Sequence, residues 1–441
     1  MLNQYRNISQ SQAKVIKKTI SFTENGGSTV NDIIMAKGHI IPEYRLSDIL
    51  EPSKTSYVFH HWCSSSILTT EWLFSSRLVD INTILYAKWI NFTLEDNMVH
   101  PADTSTYAEH LFGNSMSLGK TKLAIGLPAW STDNTGAVFM YKVDTDYSML
   151  QTSRIDVPTD SYTSKARFGK YVANNDKYLI TTCESSIYNL VYIFDLSNNS
   201  LLYTKARLDA SSEYGEGSLS ISDTYFAIGD SGANYNDAYV FKISDGTLKQ
   251  TFNNIGANQI QIYGDYFLTN NGSTTYLYKI SDGTLVKSIS GTVTNSKMSV
   301  EYLAIADSTA STNAGQVKIY RISDFKLMYT ISNPNNETTS SADKFGSHID
   351  MNNSFIFIGA SQEEEISQVG DNQGTIYIYR LSTGTKLKTL INTDIGSHSE
   401  SQLGPVVCND TDFFISAPYE DVYLDGATRT NAGIVFHYEI K

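Results

Sequence analysis

Across residues 112–441 apolar positions recur every second residue in short runs. The runs end on aromatic rings: Val138–Tyr141, Val191–Phe194, Tyr239–Phe241, Tyr276–Tyr278, Val317–Tyr320 and Ile376–Tyr379. A period of two sends successive side chains to opposite faces, so each run predicts a strand with one buried face. A polar heptad follows each run. Lys242-Ile-Ser-Asp-Gly-Thr-Leu248 and Lys279-Ile-Ser-Asp-Gly-Thr-Leu285 are the same sequence. Arg321-Ile-Ser-Asp-Phe-Lys-Leu327 and Arg380-Leu-Ser-Thr-Gly-Thr-Lys386 vary it, and segments 142–148 and 195–201 are looser copies. Asp-Gly between alternating runs predicts a hairpin, because glycine accepts φ > 0 without penalty.

A second pattern precedes each copy. Phe112-Gly113, Phe345-Gly346 and Leu403-Gly404 are each followed by an apolar run (Leu123–Pro128, Phe355–Ala360, Phe413–Pro418). A run opened by glycine comes next (Gly136–Tyr141, Gly374–Tyr379, Gly433–Tyr438). Phe168-Gly169 and Tyr214-Gly215 open two more units, whereas those near Gln259 and Ser296 lack the aromatic-glycine pair. The order strand, strand, loop, strand, hairpin, strand predicts four antiparallel strands per unit, which is a propeller blade. Adding Tyr438 gives seven aromatic strand ends, spaced 37 to 59 residues apart. That is near the ~40–50 residues of propeller repeats.

The seventh unit stops at Lys441, where its hairpin turn belongs. An unpaired edge there would template aggregation, so the missing strand is expected from before Phe112. Ile90–Leu94 followed by 101–111 resembles Leu327–Ile331 followed by 333–344, which predicts Ala87–Leu94 as that outer strand. The fold class is therefore all-β: a seven-bladed β-propeller over 87–441, its ring closed by an N-terminal strand, preceded by a small β-rich domain over 1–86. In the latter, Val15–Phe22, Ile33–Ile41, Ser56–His60 and Ile81–Ala87 are strand-like, with a break at Gly26-Gly27 and a helical turn at Arg45–Leu50.

The aromatic-glycine repeats resemble the FG-GAP repeats of the integrin alpha-subunit propeller, over about residues 87–441. The resemblance implies a fold rather than an activity. Members of that family often carry an Asp-rich calcium loop between the first two strands of a blade. Here those connections are 117–122, 222–224 and 350–354, and none supplies alternating Asp/Asn ligands with a bidentate carboxylate. No metal and no cofactor are expected.

Composition narrows the function. Charged residues are only 18% of the chain, and 29 Tyr and 19 Phe favour sheets over long helices. The net charge of −13, with no basic cluster beyond Lys14, Lys17 and Lys18, argues against nucleic acid. No apolar run reaches 18 residues, so no membrane insertion is expected. Segment 1–18 lacks the apolar core of a secretory signal. Cys63, Cys183 and Cys408 match neither a disulfide framework nor a zinc pattern, which predicts reduced thiols.

Several candidate sites stand out. Trp130, Tyr419, Tyr423 and Arg429 fall in matching loops of the first and seventh blades, neighbours in a closed ring. Such aromatic and Arg side chains recognise sugars and proteins, although loop residues also simply cover strand ends. Glu363-Glu364-Glu365 lies in the corresponding loop of the sixth blade, where a solvated acidic loop is the plain reading and a cation or basic partner the sharper one. His60-His61-Trp62-Cys63 holds three potential ligands, but neighbours on a regular strand alternate faces and do not converge on one ion. His110, His348 and His398 flank aromatic-glycine positions near the expected axis. No nucleophile elbow, zincin helix or phosphate loop occurs.

The leading expectation is a non-enzymatic structural protein of a bacteriophage virion, assembled in the host cytoplasm. The N-terminal domain would dock on other virion proteins. The propeller would face outward to a host-surface glycan or protein, in a symmetric multimer. A glycan-active enzyme on the propeller scaffold and an intracellular interaction scaffold are the alternatives.

Overall fold

The computed structural model describes residues 16–39, 52–72, 77–99, 111–128, 135–143, 149–158, 167–184, 189–206, 214–230, 237–257, 259–335, 343–364, 372–391, 402–424, 427–429 and 431–441. The chain divides into two compact units, Met1–Thr93 with Ile440–Lys441, and Leu94–Glu439.

Among the described residues the first unit holds one four-stranded sheet. Its strands are β1 (Lys17–Thr23), β2 (Ile33–Ala36), β3 (Val58–Cys63) and β4 (Thr83–Ile90), in the order β2-β1-β4-β3. The central pair β1 and β4 is parallel, with Ile20 opposite Thr83 and Thr23 opposite Tyr86. One face buries Ile20, Phe22, Ile33, Phe59, Trp62 and Leu85. The Gly26-Gly27 break forms the turn after β1. Gly27 lies so close under the Trp89 ring that a Cβ would stand 2.2 Å from it, and the Trp89 indole donates to the Glu24 carbonyl at 2.8 Å. Segment 45–50, read as a helical turn, lies outside the described residues.

The second unit is a β-propeller. Among the described residues, seven four-stranded sheets follow one another: blade one at 115–156, two at 172–206, three at 214–252, four at 259–290, five at 295–332, six at 345–391 and seven at 406–440. The innermost strand of each blade touches that of the next, and the seventh touches the first. Blade seven takes its outer strand from β5 (Phe92–Val99), which pairs with Ile434–Ile440. The closing strand therefore does come from before Phe112, but it begins five residues later than Ala87. Residues 83–90 are used by the N-terminal sheet instead. Asn91 leads into β5 with two backbone bonds to Lys441, 2.6 and 2.9 Å long.

The two sequence patterns are halves of one contact. Gly315, which opens the third strand of blade five, has φ of +92° and bridges in parallel to Phe345 of blade six. A Cβ on Gly315 would lie 2.0 Å from the Phe345 carbonyl oxygen. Gly136 meets Phe168 in the same way, at 2.1 Å. Only glycine permits this approach, which drives the aromatic ring between two blades. Phe112, Phe168 and Phe345 are all fully buried. The hydrophobic core accordingly lies between blades. Val317 and Ile319 pack with Ile349, Ile356 and Ile358 across one junction, and Leu123 and Phe139 with Phe414 and Val435 across the closing one. Each such side chain removed from water stabilises the fold by about 2 kcal/mol.

The outer hairpins are longer than a two-residue Asp-Gly turn. The Gly246 N–H donates to the Lys242 carbonyl at 3.0 Å, and Gly246 sits at φ +66°. The Asp245 carboxylate accepts from the Thr247 N–H (2.9 Å) and hydroxyl (2.6 Å). In blades one to six the register slips by one residue just before the aromatic strand end, as between Met140 and Tyr141 or Ile378 and Tyr379. The extra residue lies on the outer strand, Thr152 in blade one and Leu387 in blade six, and adds local twist opposite the aromatic strand end.

Candidate functional site

The first strands of all seven blades surround a cavity of about 270 Å³ on the propeller axis. Its wall mixes apolar side chains with Asn114, Tyr171, Gln259, Asn295, Lys297 and His348. Much of the polar chemistry joins blade to blade. The Ser115 and Ser117 hydroxyls accept from the N–H groups of Val172 (3.0 Å) and Asn174 (2.9 Å). Ser218 and Ser220 accept from Ile260 (2.7 Å) and Ile262 (2.8 Å). Gln259 and Gln261 accept from Ser296 (3.1 Å) and Met298 (2.8 Å). In each pair the residues stand two apart, so both face the neighbouring blade. They satisfy strand edges that no backbone partner reaches.

The charged groups gather on blades five to seven. Lys297 Nζ lies 3.5 Å from Asp350 Oδ1, and Asp350 Oδ2 accepts from the Cys408 N–H at 2.9 Å. Burial, reinforced by the Asp350 carboxylate, pushes the Cys408 thiol well up, so it is a protonated thiol and a poor nucleophile. His348 lines the cavity, and burial lowers its pKa to about 4, which leaves a neutral imidazole at neutral pH. Its Nδ1 faces Gly404 of blade seven, where a Cβ would stand 3.0 Å away. His110 and His398 lie outside the described residues. Among the described residues the cavity wall thus presents one ion-paired ammonium, one neutral imidazole and several amides.

The expected rim residues separate. Tyr419 is exposed (38%) at the end of the second strand of blade seven. Tyr423 and Arg429 lie on two short paired strands inserted after it, Val422–Leu424 and Ala427–Arg429, with Val422 opposite Arg429. One hairpin insertion therefore carries Tyr423 and Arg429, close in sequence to Tyr419. Trp130 and Glu365 lie outside the described residues.

Glu363 departs from the solvated-loop expectation: it is buried, with 6% exposure. Its Oε1 accepts from the Tyr377 hydroxyl at 2.5 Å and the Asn335 amide at 3.2 Å. Asp343, fully buried, accepts from Asn333 at 2.7 Å. Burial pushes the Glu363 pKa up to about 7; the Tyr377 hydrogen bond opposes this and the nearby Asp343 charge adds to it. Glu364 is half-buried. Repeat alignment carried a signal for this. Glu363 follows Ala360 as Glu420 follows Ala417, Glu420 is also buried, and both carbonyls accept from the glycine opening the third strand.

Residues 19–88 match the Listeria-Bacteroides repeat domain. Two proteins of Evansella cellulosilytica, one described as a Gly-rich membrane protein and the other as a membrane protein, are 38% and 37% identical over 71 residues. The matches cover 16% of this chain and only 8% and 10% of those relatives. Among the described residues no helix is long and apolar enough to cross a membrane. Among solved structures, the Neurospora crassa Pan2 WD40 domain aligns over 79% of this chain and 95% of that domain, at 8% identity and a TM-score of 0.49.

Proposed function

We propose that the protein is a non-enzymatic recognition protein displayed at a surface, with the propeller as the contacting head and the N-terminal β-sheet unit as its mount. The observation that carries this reading is the blade-seven insertion, a hairpin whose strands include Tyr423 and Arg429 and which follows the exposed Tyr419 by a few residues. Loops on a rigid scaffold are where binding residues concentrate, and Tyr and Arg are enriched at binding hot spots. Seating an aromatic-glycine pair on the preceding blade's glycine supports an FG-GAP-type repeat. The protonated Cys408 and neutral His348 fit binding better than covalent chemistry.

The likeness of the N-terminal unit to a domain of bacterial name, and of part of the chain to proteins described as membrane proteins, favours a bacterial envelope as the surface. A bacteriophage virion is the second reading. It is supported by the low charge content and the three free cysteines of a protein assembled under reducing conditions. On either surface the contacted ligand is a glycan or a protein. The test is saturable binding of the labelled full-length chain to intact bacterial cells. A Tyr419→Ala/Tyr423→Ala variant should lose at least tenfold in affinity. Absence of saturable binding, or equal binding by the variant, would remove the recognition role.

A further inference from the structure

A regular strand would hold His60 and His61 on opposite faces of the N-terminal sheet. Strand β3 is not regular. Val58 and Phe59 stand opposite Ile90 and Trp89 of β4, but the next pair is His61 with Lys88, so His60 is the extra residue of a β-bulge. A bulge re-aims the side chains around the inserted residue. Here it brings both imidazoles to one place. The ring centroids lie 4.3 Å apart with planes at 80°, and the two Nδ1 atoms face each other in hydrogen-bond contact. Both rings are half-buried.

We infer that His60 and His61 form a transition-metal site, binding one ion through both Nδ1 atoms. The proton shared between the two Nδ1 atoms leaves to solvent when an ion enters; both rings are then protonated on Nε2 and direct two Nδ1 lone pairs to the ion, which is the donor set of a chelate. Two cis nitrogen ligands at ~2.0 Å from one ion stand ~3 Å apart, a spacing that small ring rotations reach from the present contact. Imidazole pairs suit copper, nickel and zinc, and the affinity order of divalent ions places copper first. Water completes the coordination, since among the described residues no group of three or more His, Cys, Asp or Glu is placed to hold an ion. Cys63, two residues on, is fully buried and is not counted among the ligands. The site is independent of the ligand contact assigned to the propeller.

The experiment uses the full chain, stripped with a chelator and titrated with Cu2+ and, separately, Zn2+ by calorimetry. Electron paramagnetic resonance of the copper form reports the nitrogens. The expected result is one Cu2+ per chain with hyperfine coupling to two imidazoles. Zn2+ should bind at least tenfold more weakly, and His60→Asn and His61→Asn should each lose at least tenfold in copper affinity. Cu2+ should also protect His60 and His61 of the unmodified protein from acylation by diethylpyrocarbonate, read by peptide mass spectrometry. This second measurement needs no variant to fold. Copper affinity unchanged in both His60→Asn and His61→Asn, or acylation of both histidines unaffected by saturating Cu2+, would overturn the assignment.

Discussion

Replacing Glu363 with glutamine is predicted to stabilise the propeller in alkaline solution and to leave it nearly unchanged in mild acid. The Glu363 carboxyl has an ordinary pKa of 4.5 and one of about 7 in the folded protein, chiefly because it is buried. A pKa raised by folding means that the folded state holds the extra proton. Its contribution to stability is present below about 4.5 and is lost as the pH rises through about 7. At about 1.4 kcal/mol per pH unit, the buried anion costs about 3 kcal/mol once the pH is well above 7. The 6% exposure leaves little solvent to reduce that figure. Glutamine keeps an acceptor for Tyr377 and Asn335 and carries no charge. Guanidinium unfolding of the full-length chain, followed by tyrosine near-ultraviolet circular dichroism, reads the difference. The variant should gain about 2–3 kcal/mol over the wild type near pH 9 and less than about 0.5 kcal/mol near pH 4.5. A gap that stays constant with pH, or a variant less stable than the wild type at pH 9, would refute the reasoning.

Other perturbations probe the ring. Gly315→Ala places a methyl 2.0 Å from the Phe345 carbonyl at φ +92°, so it should destabilise the propeller by about 3 kcal/mol in the same unfolding assay. Asp176 accepts from the N–H groups of Lys120 (2.8 Å), Thr121 (3.0 Å) and Lys122 (2.8 Å), tying blade two to the first turn of blade one. Asp176→Ala should therefore cost about 1–3 kcal/mol, with Asp176→Asn recovering part of it. Deleting Phe92–Val99 removes the outer strand of blade seven and bares an edge, so that variant should aggregate, as size-exclusion chromatography with light scattering would show. A monomeric, folded deletion variant would contradict the role of β5.

The propeller was legible because its repeat is chemical as well as numerical. Phe345-Gly346 and Gly315 are each a local oddity in the sequence, and together they describe one contact. The closing strand was legible in kind but not in register. Thr83–Ile90 alternates as well as Phe92–Val99 does, and only the parallel pairing of Ile20 with Thr83 assigns it to the other sheet. No residue pattern within β4 announces a partner more than sixty positions upstream. The convergence of His60 and His61 depends on a one-residue slip against Trp89 and Lys88, which alternation cannot reveal. Glu363 misled for a different reason. Three successive acids resemble a solvated loop, and the buried environment of the first comes from Tyr377 and Asn335, distant in sequence. The axial serines and glutamines carried the opposite risk. They resemble a ligand set, yet their oxygens already accept backbone N–H groups of the adjacent blade.

The central claim is display at a surface, and location tests it most directly. Quantitative peptide mass spectrometry should compare envelope, gradient-banded particle and soluble cytosolic fractions of the source. The account predicts that most of the chain is found with the envelope or, on the second reading, at fixed stoichiometry in banded particles. Recovery of nearly all of it from the soluble cytosol, in complex with another cytosolic protein, would contradict the claim and leave the propeller as an intracellular scaffold.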